Sequence, residues 1–143
     1  LNPPQRKKMA QTLAVASDIM GQRLFAPPSV KGWDGGRSWI NTSTVFMRQN
    51  TLLYLLTGQR PDSNAWEADG THFDAMQLVA GKTRTPKTTI KYLLSSILNV
   101  EKPENDRIAT LEDYIKTQNN KINNETVTGL LSLITAMPEY QLC

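Results

Sequence analysis

One cysteine, Cys143, and one histidine, His72, are all that these 143 residues contain of either type. A lone thiol excludes an internal disulfide framework, and one thiol with one imidazole cannot complete a Cys/His zinc site. The same scarcity leaves almost no room for Ser-His or Cys-His nucleophilic machinery. Long apolar runs are missing as well. The best one, Leu52–Leu56, is broken by Tyr54 and closed by Gly58, well short of the roughly 18 residues of a membrane span. The basic start, Arg6-Lys7-Lys8, leads into an amphipathic pattern and not into the apolar run of a signal peptide. Charge excess is small, 16 basic residues against 13 acidic for a net +3. The sequence pI of about 9.1 invites a nucleic-acid reading. The cations are scattered and no nucleic-acid module is present, so the Arg6-Lys7-Lys8 cluster reads as a solvated helix face.

What is present suits a globular domain. Hydrophobic residues make up 39% and charged residues 20%, with a mean hydropathy of −0.41, enough for one core but not two. Helical periodicity dominates. Residues 5–20 place Met9, Leu13, Ala16 and Met20 on one stripe with Ile19 beside them; Pro3 and Pro4 stand before it and Gly21 at its C-terminal cap. Residues 43–57 repeat the pattern through Val45, Phe46, Leu52, Leu53 and Leu56, with Asn41 or Thr42 as N-cap and Gly58 as stop. Residues 59–73 are polar and read as a surface loop. A short helix over 74–80, capped by Asp74 and closed by Gly81, comes next. Thr85-Pro86 opens a helix with Ile90, Leu93, Leu94, Ile97 and Leu98 on one face. Residues 104–118 follow with Ile108, Leu111 and Ile115 inward, then a turn over 119–124. A last helix, 125–136, carries Val127, Leu130, Leu131 and Ile134 and ends at Pro138. The expected fold is all-α, a single domain over 1–143 with about five or six helices in an irregular or orthogonal bundle.

The unusual residues crowd into one link. Residues 21–41 hold four of the eight glycines, two of the eight prolines and two of the three tryptophans. A connection of about twenty residues between two helices is far longer than a bundle needs, so the loop is expected to be an ordered element. Pro27-Pro28 restricts its backbone, and Phe25, Val30, Trp33 and Trp39 are its expected apolar anchors. Met20-Gly21-Gln22, Leu24-Phe25, Pro27-Pro28-Ser29-Val30-Lys31-Gly32-Trp33, Gly35-Gly36 and Trp39-Ile40-Asn41, followed by Arg48 and Asn50, resemble the hallmark of the domain-of-unknown-function 1800 family. The close Met137-Pro138-Glu139-Tyr140-Gln141 is similar to the end of its members, whereas 59–124 carries no signature. The resemblance implies a bacterial protein of an exported family, located in the periplasm, cell envelope or medium. It also implies that this is the C-terminal part of a longer protein, in keeping with Leu1-Asn2-Pro3-Pro4 reading as a linker. The partner expected on that ground is the N-terminal region of the same protein, with an exported partner, such as the sulfatase-related family that often accompanies it, as a second. No reaction and no cofactor are implied.

Two functions follow. The first is a non-catalytic module whose loop docks on that N-terminal region or on a partner. The second is part of a carbohydrate-binding or hydrolase site, in which Trp33 and Trp39 stack on a sugar while Asp34, Arg37, Asn41 and Arg48 bond its edges. Burial of both indoles against helices is the plainer expectation, and Arg48 is more simply a support for the loop. His72 between Asp69 and Asp74 offers a minimal metal or base cluster, but a solvated loop histidine is the simpler reading. Glu67 with Asp69, and Glu101 with Glu104, show no spacing that singles out a glycosidase pair. Asn41-Thr42-Ser43 and Asn124-Glu125-Thr126 match the N-glycosylation pattern, which has little force in a bacterial chain.

Overall fold

Pro3 and Pro4 occupy the first turn of helix α1 (Pro3–Ile19), where their missing N–H groups would have had no intrahelical partner. In the computed structural model, residues 3–33, 38, 40–62, 65–68, 73–81, 85–98 and 104–141 are described. Helix α1 closes as its periodicity requires. Gly21, at φ +73°, donates its N–H to Asp18 O at 2.9 Å, and Gln22 N donates to Ser17 O at 2.8 Å. This is a Schellman cap. Helix α2 (Thr42–Thr57) starts with a capping box: Thr44 N donates to Asn41 Oδ1 at 3.0 Å, and Asn41 N donates to Thr44 Oγ1 at 2.9 Å. Gly58, at φ +69°, stops it.

Residues 59–62 and 65–68 depart from the expected loop. Strands β1 (Gln59–Asp62) and β2 (Ala65–Ala68) pair antiparallel, with Gln59 opposite Ala68 and Asp62 opposite Ala65. The ribbon is held by backbone hydrogen bonds and shows no apolar alternation, so the pattern that reveals half-buried strands is absent from it. Pro61 is tolerated because a two-stranded ribbon has only edge strands.

Helices α3 (Met76–Val79), α4 (Pro86–Leu98), α5 (Asn105–Thr117), α6 (Asn124–Ala136) and α7 (Pro138–Gln141) complete an all-α fold. The chain divides into two compact units, Leu1–His72 and Phe73–Gln141. Pro138, read from sequence as a terminator, also begins α7; proline suits the first turn of a new helix as well as the end of an old one. Asn119 and Asn120, at φ +55° and +56°, turn the chain after α5, and Asn123 Oδ1 caps α6 by accepting from Thr126 N at 2.8 Å.

The second unit has a dense core. Ile90, Leu93 and Leu94 from α4, Leu111 and Ile115 from α5, and Val127, Leu130 and Ile134 from α6 are almost wholly excluded from solvent. Helix α4 packs on α5, α6 and α7. Asn124 Oδ1 accepts from the N–H of Ala75, itself fully buried, and ties the segment before α3 to the start of α6. Arg107 Nε reaches Glu139 Oε1 at 3.0 Å and pins α7 to α5. The carboxyl of Glu139 is held below the usual carboxylate range, first by a backbone N–H and then by Arg107, against some opposition from burial. A depressed carboxylate stabilises the fold above its unfolded value, near 4.5, and loses that contribution as pH falls through the lower folded value. Both side chains are more than a third exposed, so the pair is worth no more than ~1 kcal/mol. Acid melts from pH 6 to pH 3 should therefore show a small loss of stability that Glu139→Gln removes.

Candidate functional site

The first unit is built differently from the second. Among the side chains described in residues 3–58, Ala16 and Tyr54 are the buried apolar ones. Leu13, Val15, Ile19, Leu24, Phe25, Val30, Trp33 and Phe46 are exposed, against Leu78 and Leu133 in the second unit. The stripe Met9-Leu13-Ala16-Met20 is thus buried only at Ala16. The residues of α1 that line a concavity beside α2 are Lys8, Gln11, Thr12, Val15, Ala16 and Ile19.

Within the loop, residues 23–32 are held by hydrogen bonds of their own backbone. Ala26 N donates to Arg23 O, Gly32 N donates to Ser29 O, and Lys31 N donates to Ser29 Oγ. Gly32 sits at φ +96°, which a side chain would strain. Phe25 takes φ +60° in the Arg23–Ala26 turn, an unusual conformation for a bulky residue. A cavity of about 270 Å³ is lined by Met20, Gln22, Pro28, Ser38, Asn41 and Thr44, so the start, middle and end of the loop converge on one spot. Phe25 and Val30, expected as anchors, are not anchors: Phe25 is 91% exposed and Val30 fully so. The turns at 23–26 and 29–32 are closed by backbone hydrogen bonds, which leaves these side chains to stand in solvent.

Trp33 is 40% exposed, intermediate between an anchor and an open platform. Asn41 spends its side-chain oxygen on the α2 cap. Arg48 lies half-buried in the second turn of α2. Asp34, Arg37 and Trp39 lie outside the described residues, as do Asp69, His72, Glu101 and Cys143. Asp74 accepts from Met76 N and Gln77 Nε2 and shapes the turn into α3. Among the described residues no group of three His, Cys, Asp or Glu side chains could hold a metal ion, and no helix is long and apolar enough to cross a membrane.

A larger concavity lies where sequence reading had placed nothing. Helices α1 and α2 leave an open groove of about 480 Å³, walled by Val15, Ile19 and Met47 over Ala16 and Tyr54. Its signal in the sequence is a second helical face, positions 8, 12, 15 and 19 facing 47, 51 and 54. Alanine and threonine there do not register as an apolar stripe.

A helical pair joined by a loop that exposes apolar side chains, followed by a well-cored helical unit, defines a helical module whose described first-unit residues bury few of their apolar side chains. The chain belongs to the family described as Protein of unknown function (DUF1800), whose model matches residues 4–142. No curated protein and no solved structure matches it.

Proposed function

We propose that this chain is a non-catalytic helical module whose first unit docks on another polypeptide, foremost the N-terminal region expected of its family. In this reading it works in the periplasm, cell envelope or medium. The observation that carries the reading is the unequal burial of apolar side chains in its two units. Among the described residues of the first unit eight large hydrophobic side chains are exposed, several of them in the hydrogen-bonded turns of residues 23–32. An ordered backbone presenting Leu24, Phe25, Val30 and Trp33 loses little conformational entropy on binding. Removing that surface from water would supply about 25 cal/mol per Å² of apolar area. The alternative, a carbohydrate or hydrolase site around Trp33 and Trp39, has less support because Asn41 is engaged in its cap.

The test is titration of residues 1–143 with a separately expressed family N-terminal region. Saturable binding that Phe25→Ser with Val30→Ser weakens about tenfold or more, roughly 1.4 kcal/mol, is the expected result. Both side chains are almost fully exposed, so the melt of the chain itself should stay unchanged. Binding that ignores both substitutions would overturn the loop's role. Saccharide binding lost in Trp33→Ala would favour the alternative.

A further inference from the structure

We propose that Phe25 is the anchor of the docking surface, a phenyl ring held out from the chain to enter an apolar pocket of the family's N-terminal region. The proposal rests on the docking role given above and names the side chain that carries it.

Backbone conformation singles this residue out. Among the described residues, positive φ is taken by four glycines, two asparagines and, alone of the larger side chains, Phe25. Glycine and asparagine enter this region at little cost, whereas a bulky side chain there is strained. Arg23 to Ala26 form a turn in which Ala26 N donates to Arg23 O at 3.2 Å. Positive φ falls on its third residue, Phe25 at +60°, and not on its second. That is the pattern of a type II turn, whose third position favours glycine.

The residues on either side keep the strain in place. Upstream, Gln22 N is fixed to Ser17 O at 2.8 Å by the cap of α1. Downstream, Ala26 stands before Pro27 and Pro28, and a residue before proline is restricted to extended backbone. The reversal therefore falls on Arg23, Leu24 and Phe25. Glycine at 25 would make the same turn freely.

The ring is not buried against its own chain either, since Phe25 is 91% exposed. A turn position that favours glycine and an aromatic ring left in water are two local conflicts at one residue. Such conflicts are expected where binding outweighs folding. Leu24 beside it is 64% exposed and widens the apolar tip. The preceding cation, Arg23, lies 4.0 Å from Asp18, so the tip itself is apolar and fits an apolar receptor. Aromatic rings that fill a pocket are frequent interface anchors.

The experiment uses residues 1–143 and the separately expressed N-terminal region, with two readouts. All three tryptophans, at 33, 39 and 66, lie in the first unit, so their fluorescence follows its unfolding by itself. Phe25→Asn should raise that Tm by about 4 °C or more, because asparagine tolerates the left-handed conformation. Phe25→Ala keeps a Cβ and with it the strain, so its Tm should match that of the parent chain. Both should weaken docking about tenfold or more, and Val30→Ser alone by less than about threefold. Phe25→Leu, which keeps apolar volume without the ring, should fall between. A Tm that Phe25→Asn leaves unchanged or lowers overturns the proposal, because the ring would then belong to the fold. Docking that Phe25→Ala leaves intact while Phe25→Ser with Val30→Ser weakens it overturns the anchor and spares the docking role. Absence of any docking overturns both.

Discussion

Replacing Leu94 with alanine should lower the stability of the second unit by about 2–5 kcal/mol, the cost of deleting a buried leucine side chain and leaving a cavity. Leu94 is fully excluded from solvent, and its helix α4 packs against α5, α6 and α7 at once. Three neighbouring helices cannot all shift to refill one hole, which places the site toward the costly end of that range. For a unit of this size each kcal/mol corresponds to about 4–8 °C in Tm. Urea melts followed by circular dichroism measure the effect. A loss below about 1 kcal/mol would mean that α4 is not central to the unit.

Gly129→Ala should also destabilise, by about 1–3 kcal/mol before helix propensity returns about 1. Gly129 lies within α6, and a Cβ placed there would run into the phenol ring of Tyr114 on α5. The ring is the obstacle, so the effect depends on its presence. In a Tyr114→Ala background the same substitution should become neutral or stabilising, because only the gain in helix propensity is left. Tyr114 offers a second readout. Burial, and then the charge of Glu125, raise its phenol above 10.0. A group whose folded value is raised contributes stability below its unfolded value and loses it as pH rises through the folded one. If alanine at 129 pushes the ring into solvent, spectrophotometric titration of Tyr114 should move back toward 10.0, and the alkaline loss of stability should shrink. An unchanged titration with unchanged stability would contradict this packing.

The two units differ in how far their sequence foretells them. In the second, apolar side chains recur at helical spacing and face inward together, so Ile90, Leu93, Leu94, Leu111, Ile115, Val127, Leu130 and Ile134 are all readable as core from that spacing alone. Capping is equally local: Asn41, Gly21 and Gly58 act within a few residues of themselves. The pairing of 59–62 with 65–68 is made through the backbone and leaves no mark in apolar patterning. In the first unit periodicity misled, since Leu13 and Ile19 lie on a good stripe and yet remain exposed.

The amino-acid sequence by itself determined the family, the longer helices and the caps at Gly21, Asn41 and Gly58, because each rests on residues close together along the chain. Only the tertiary structure decided that Phe25 and Val30 point outward, that a short helix follows Met137, and that α1 and α2 leave a groove. Burial depends on which faces find a neighbour, and a helical stripe says that a face is apolar without saying what will cover it.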